Sequence, residues 1–334
     1  MERYIKLKNG NAELTVDRVG AQIVSYKVDG VEIMYQGALN PENSMWKATA
    51  KNLFPNPGPI GTENEKWGEL KTETYNVNGK EEKHTIYVHN GGLYHMGQHG
   101  FAQSEEFDVH AKRKNYCVLS ISSDRQQTYT QYPYKFTYYV VLELGEDGNL
   151  NCMTCAQNND TKPMLAGMGW HPAFKLYGDS KKYKLFFENL EKEDSCEVQE
   201  GVGYDIYSDV ISKSKSKAFS GIKSADIVLC YERNPGEFLP YLKMHTSEPN
   251  LILWSKNREN ESQEEFICIE PWNTMPRQIS KLTTQDKTRE LSESGAVIIE
   301  PDEKSYLKAS VNIYPEYILE LQKTLNPNNG EKDL

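Results

Sequence analysis

The chain has 334 residues; its 38 Lys+Arg against 48 Asp+Glu give a formal net charge of −10, with 26% of residues charged and 38% hydrophobic. This is an ordinary soluble composition, long enough to bury a substantial core as one large unit or as two domains of roughly 150 residues. The acidic balance, with no compensating basic stripe, excludes an extended nucleic-acid footprint, because such a surface needs clustered cations to displace phosphate counterions.

The amino-terminal stretch MERYIKLKNGNAELTV alternates polar and apolar residues, where a secretory signal carries an apolar run. No stretch reaches roughly 18 consecutive apolar residues. A cytoplasmic protein with no membrane partner is therefore expected. Period two then dominates the chain. AELTV, AQIVSYKV, EFDVHA, YCVLSIS, FTYYVVLEL, NLNCMTCAQN, KLFFEN, DIVLCYE, LILWS, FICIE and KASVNIY follow one another as short β-branched or aromatic runs separated by Gly, Asn, Asp or Pro, the pattern of strands. Asx-Gly pairs in Val28-Asp29-Gly30, Val77-Asn78-Gly79 and Glu146-Asp147-Gly148 stand where hairpins need them. The expected fold is all-β, a large antiparallel β-sandwich.

Helical pieces are predicted at residues 36–46 and 313–324, as short connectors or caps. The run SKSKSK at residues 212–217 reads as a solvated hairpin tip or strand end, and the polar tail at residues 326–334 as disordered. Strand-like runs continue at similar spacing on both sides of Ser212, so one domain over residues 1–325 is expected. The six cysteines (Cys117, Cys152, Cys155, Cys196, Cys230, Cys268) are scattered within apolar stretches, the pattern of reduced thiols. Cys152 and Cys155 form a C-x-x-C, but no second pair follows at zinc spacing, so neither metal nor cofactor is expected.

Three segments combine histidine or carboxylate with Gly, Pro and large aromatics in a way that strands alone do not require. Residues 97–102, GQHGFA, follow the glycine-rich GGLYH at 91–95. Such glycines let the backbone approach a ligand closely, and His99 offers a donor and an acceptor near pH 7. In GMGWHPAF, residues 167–174, Pro172 holds His171 in extended geometry; a core histidine at a bulge explains it equally well. In FICIEPWN, residues 266–273, Glu270 closes an apolar strand. Desolvation raises such a carboxyl and an adjacent imidazole lowers it, which is how a poised base is made, with a partnered structural glutamate as the alternative.

Together, LFPNPGPI (53–60), HGFA (99–102), GWHPAF (169–174) and CIEPWNTMP (268–276) come in the order and approximate spacing seen in the aldose 1-epimerases, the galactose mutarotase family, and the chain resembles its LacX-like bacterial branch. The resemblance extends from the opening strands to about Tyr314. It implies the galactose mutarotase-like supersandwich and cofactor-free, metal-free interconversion of the anomers of a small-molecule aldose of galactose or glucose type, by a monomer or homodimer. Motif by motif, it places the general acid on His171, the general base on Glu270 and a substrate-binding histidine on His99. Asp226 is the nearest counterpart by order of the family's hydroxyl-binding aspartate. Trp272, with Trp170 and Phe101, could present apolar faces to the sugar. Two departures stand out. Gln103 occupies the place of the arginine in the family's HGFAR, and Lys51-Asn52 precede Leu53 where an arginine commonly reaches the sugar, so a point charge and a neutral amide replace planar bidentate forks. A hexose-6-phosphate mutarotase and a non-catalytic carbohydrate-binding or sensor protein are the alternatives on the same framework; a glycoside hydrolase needs a second carboxylate that no motif supplies.

Overall fold

The computed structural model describes residues 2–36, 50–58, 72–77, 79–89, 92–126, 128–213, 215–256, 265–275 and 297–325. Two large antiparallel sheets dominate. The eight-stranded sheet runs Tyr183–Lys192, Ile222–Asn234, Glu237–Thr246, Lys304–Ile313, Leu150–Asn158, Phe136–Leu144, Tyr116–Ser122 and Asp108–Lys112 from edge to edge. The six-stranded sheet runs Lys217–Ser220, Asn250–Trp254, Glu265–Trp272, Gly169–His171 and Lys51–Leu53, with Ala173–Leu176 also pairing with Glu265–Trp272. A four-stranded sheet begins the chain (Tyr4–Asn9, Ala12–Asp17, Gln22–Val28, Val31–Glu32), and a three-stranded one (Thr72–Val77, Lys80–His89, Gly92–Gly97) leads to the His99 segment.

The alternation legible in the sequence decides which side chains meet between the layers. Phe136, Tyr138, Val140, Leu142 and Leu144 turn inward from one strand, and Trp170, Phe174, Leu251, Leu253, Ile267 and Ile269 enter the same apolar cluster from the six-stranded sheet. Phe54 stacks on Tyr138 with ring centroids 4.4 Å apart and planes 9° apart. Each such buried ring contributes about 1.5–3 kcal/mol relative to exposure. The β-sandwich expected from periodicity is the fold observed.

The local expectations divide. Asp29 and Gly30, at φ +49° and +77°, close the hairpin between Gln22–Val28 and Val31–Glu32. Val77 pairs with Lys80 across the second Asx-Gly turn, whose Asn78 lies outside the described residues, and Leu144 with Leu150 across the third. All six cysteines are buried and unbridged, and the C-x-x-C lies on the strand Leu150–Asn158. The carboxy-terminal helix is Pro315–Leu325, seated by Tyr317 stacked on Tyr241 at 4.5 Å. The helix expected at 36–46 and the tail at 326–334 fall outside the described residues, apart from Gln36. Beside SKSKSK stands an unpredicted single π-turn, Tyr207–Ile211, and the run ends where the strand Lys217–Ser220 begins. Ile206, Val210 and Ile211 are buried there, a four- and five-residue spacing too short to register as a helical period. No described helix is long and apolar enough to cross a membrane.

The first sheet is tied to the eight-stranded sheet by buried Tyr26, whose hydroxyl donates to the Gly148 carbonyl at 2.6 Å. Tyr26→Phe removes that donor and leaves a buried carbonyl short of a partner, so urea unfolding should show a loss of about 1–2 kcal/mol with little change in slope.

Candidate active site

The strand Glu265–Trp272 is buried along almost its whole length, and its two faces do different things. Ile267 and Ile269 enter the main core. Phe266, Cys268, Glu270 and Trp272 point to the opposite face, where Phe266 and Cys268 pack with Tyr35 and Ala173, and Trp272 with Leu53 and Ile252. The neighbouring strands obey the same parity. Trp170 turns into the core while Gly169 pairs with both Trp272 and Leu53, and His171 pairs with Lys51. Asn273 locks the corner: its backbone N–H donates to the Met168 carbonyl at 3.0 Å and its Oδ1 accepts from the Met168 N–H at 2.7 Å. A Cβ on Gly169 would lie 2.7 Å from the Trp272 ring, so only glycine lets that indole lie across the strand.

This register brings His171 Nε2 to 3.2 Å from Glu270 Oε1, with both side chains at least 96% removed from solvent. Burial shifts the two groups in opposite directions: Glu270 is held well above the usual carboxylate range, and His171 well below the usual histidine value, with His99 and Lys51 adding to the second effect. The Trp272 indole opposes the shift of Glu270 in part, although its N–H lies outside hydrogen-bonding geometry. Sequence reasoning set desolvation against an adjacent imidazole; desolvation is the leading cause at both groups and favours the neutral arrangement of the pair. Glu270 Oε2 and the Trp272 N–H have no hydrogen-bond partner among the described residues. Unpaired buried groups of this kind cost about 1–3 kcal/mol each, and a polyol supplies partners for both.

His99 reaches the pair from the loop after Gly92–Gly97. Its half-buried ring stands edge-on to His171 at 5.5 Å and to Trp272 at 6.2 Å. Burial and the charge of Lys51 push its pKa down to about 3, so it is neutral at physiological pH. The loop is pinned by the His99 N–H donating to Gly58 O at 2.8 Å and the Ala102 N–H to Phe54 O at 3.2 Å. Lys51 and Gln103 also meet, Nζ donating to Oε1 at 3.3 Å, while the Gln103 amide donates to Gln98 O at 2.6 Å. His99, His171, Glu270, Lys51, Gln103 and Trp272 thus form one neighbourhood.

Asp226 does not join it. It lies on the eight-stranded sheet, accepting from Asn189 at 2.9 Å and facing His245 at 2.8 Å and Lys243 at 3.4 Å. Trp170 and Phe101 belong to the core. Sequence reasoning missed Cys268, whose thiol lies beside the pair: ligand-type atoms of His171, Cys268 and Glu270 are all within 4.8 Å of one another. The signal was present, since residues two apart on a strand share a face.

An antiparallel sandwich presenting a buried imidazole–carboxyl pair, with a second histidine at its edge, defines a galactose mutarotase-like protein. The sequence pattern of the aldose 1-epimerase family matches residues 3–283, and the chain belongs to that family. Among solved structures it is similar to a galactose mutarotase related enzyme from Lactobacillus acidophilus (TM-score 0.67, 20% identity, covering 93% of this chain and 97% of that one). A galactose mutarotase-like protein from Lactobacillus casei gives TM-score 0.65 at 20% identity, covering 93% and 100%. One from Clostridium acetobutylicum gives 0.58 at 17%, covering 93% and 95%. No curated protein gives a significant match.

Gly100 makes the geometry of the histidine loop testable. It sits at φ +73°, and a Cβ there would fall 2.2 Å from the Phe54 carbonyl oxygen. Backbone must move to admit it, so Gly100→Ala is expected to destabilise the fold by about 2 kcal/mol or more in chemical denaturation.

Proposed function

We propose that this chain is an aldose 1-epimerase that interconverts the α and β anomers of a free aldose of galactose or glucose type, with Glu270 and His171 as its acid–base pair. The observation that carries this reading is the buried 3.2 Å approach of His171 Nε2 to Glu270 Oε1, each residue standing in one of the family's motifs. We take residues 1–325 as one domain, since a single apolar cluster spans both large sheets.

Opening the hemiacetal removes a proton from the anomeric hydroxyl and adds one to the ring oxygen as the C1–O bond breaks. Rotation about C1–C2 then exposes the other face of the aldehyde, and the ring recloses. Each half-reaction needs one base and one acid. Before substrate arrives, burial favours the neutral pair, with the proton on Glu270. A sugar hydroxyl donating to Oε2 stabilises the carboxylate, and the proton passes along the Nε2–Oε1 contact to His171. Glu270 then takes the anomeric proton while His171 protonates the ring oxygen, and the roles reverse on closure. Neutral His99 supplies a donor to the ring oxygen or a neighbouring hydroxyl, and Trp272 an apolar face to the sugar's C–H surface. Lys51, which also donates to Gln103, offers a donor to a sugar oxygen.

Anomer exchange followed by NMR or polarimetry over free and phosphorylated aldoses tests the assignment. Exchange of free galactose or glucose, unaffected by exhaustive chelation, is expected. Turnover confined to phosphorylated sugars would replace it with a hexose-6-phosphate mutarotase, and binding without exchange with a sugar-binding protein.

Glu270→Gln removes the proton acceptor and His171→Asn the proton donor, so each should lower kcat by about 10²- to 10⁴-fold with a much smaller change in KM. Wild-type rates in both folded variants would remove the pair from the mechanism.

The pH profile carries its own signature. Burial lowers proton uptake by His171 below its usual pKa and raises proton loss from Glu270 above its own. The plot of kcat/KM against pH should therefore be a bell. Its acid limb reports uptake by His171 and its alkaline limb loss from Glu270, as properties of the pair.

A further inference from the structure

Three groups from two distant strands of the chain meet on one face of the six-stranded sheet. Cys268 and Glu270, two residues apart on Glu265–Trp272, share a face, and Gly169–His171 runs alongside. We infer that His171, Cys268 and Glu270 form a binding site for a thiophilic divalent cation of the Zn²⁺ type, and that its occupation switches the acid–base pair off. The inhibitory half of this inference rests on the function proposed above; the metal site itself does not.

Geometry comes first. The candidate ligand atoms lie within 4.8 Å of one another, and Nε2 and Oε1 are 3.2 Å apart. Zinc bonds of about 2.0–2.3 Å to N, O and S set tetrahedral ligand–ligand separations of about 3.3–3.7 Å. Side-chain rotation of about 1 Å at the thiol closes the difference, leaving a fourth position for water. The donor set comes next. One imidazole, one thiolate and one carboxylate suit zinc, whereas magnesium and calcium prefer all-oxygen ligands.

Charge balance explains why a dication is accepted where a monovalent charge is excluded. With His171 neutral, Glu270 as carboxylate and Cys268 as thiolate, the ligands carry two negative charges, and Zn²⁺ brings the buried site to zero. His99, neutral at physiological pH, adds no repulsion. The Lys51 ammonium, whose field reaches His171 and Cys268, opposes the metal. The proton balance is explicit: the S–H proton of Cys268 and the O–H proton of Glu270 leave to solvent as the metal bonds form. Each ligand proton displaced makes affinity rise with pH. A metal on Nε2 and on the carboxylate occupies the lone pairs that the anomeric reaction uses.

The test uses the full-length, chelator-stripped protein with Co²⁺ as the spectroscopic probe and Zn²⁺ as the competitor. One equivalent of Co²⁺ should produce a near-ultraviolet thiolate-to-metal band and intense tetrahedral visible bands, which Zn²⁺ displaces. Cys268→Ser and Cys268→Ala should lose the thiolate band, weaken binding about tenfold or more, and show residual anomer exchange that zinc no longer inhibits. Absence of the band in the wild-type protein, or its persistence in folded Cys268 variants, overturns the site. If those variants do not fold, wild-type protein decides: release of at least one proton per bound Zn²⁺ supports the site, and release of fewer than one overturns it. A Cys268-dependent band in a protein whose anomer exchange is indifferent to zinc, or absent altogether, leaves the metal site standing and removes the pair from catalysis.

Discussion

The chemistry of this protein depends on taking a carboxyl and an imidazole out of water side by side. An isolated buried carboxylate is strongly disfavoured, and an isolated buried imidazolium likewise. Next to each other they have a neutral arrangement, one proton between two basic atoms, and burial selects it by raising Glu270 and lowering His171. Other features of the site are compatible with that neutrality. His99 is kept uncharged beside the pair. The nearby cation, Lys51, makes a hydrogen bond to neutral Gln103, a position where the family often has a second guanidinium. A further positive charge there would push both histidines down again and raise the cost of forming imidazolium during the reaction.

Such desolvation requires a strand buried on both faces, and the sandwich supplies it. Ile267 and Ile269 hold Glu265–Trp272 onto the core from beneath, while Cys268, Glu270 and Trp272 occupy the upper face. Because side-chain parity on a strand is strict, moving the register by one residue would send Glu270 into the core and Ile269 into the site. Register is held by pairing on two sides, Glu270 with Ile252 and Gly169 with Trp272, and by the two hydrogen bonds between Asn273 and Met168. Positions with no chemistry of their own thus set the position of the carboxyl.

Much of this was legible in the sequence because strands write their parity into composition. Every alternating run singled out in the sequence lies on a strand of the fold. The pair was visible because a glutamate closing FICIE and a histidine fixed by Pro172, each explained equally well as packing, stand in motifs whose order resembles that of the aldose 1-epimerases. Other features were not legible, for identifiable reasons. The π-turn at Tyr207–Ile211 is shorter than the window over which a helical period registers. Asp226 was chosen by its order in the chain, and order carries no information about which sheet a strand joins; its partners are Asn189, Lys243 and His245. Cys268 escaped because metal motifs are sought as ligands at close spacing, whereas His171 comes from a different strand and only sheet topology brings it near. The direction of the proton's preference was hidden too, since it depends on how completely the two groups are buried.

Neutrality also bears on what the site admits. On the proposed reading, a free aldose enters without changing the charge of the buried region, and its hydroxyls engage Glu270 Oε2 and the Trp272 N–H, which have no partner among the described residues. The carboxylate then gains a hydrogen bond as substrate arrives, lowering the pKa of Glu270 when a base is needed. A phosphorylated sugar would bring about two negative charges toward a carboxyl that must ionise for the reaction to proceed. Among the described residues, Lys51 is the cation placed to offset them, as a single point charge rather than a bidentate fork. On that reading, the electrostatics proposed to poise the pair for proton transfer would also favour an uncharged sugar over an anionic one.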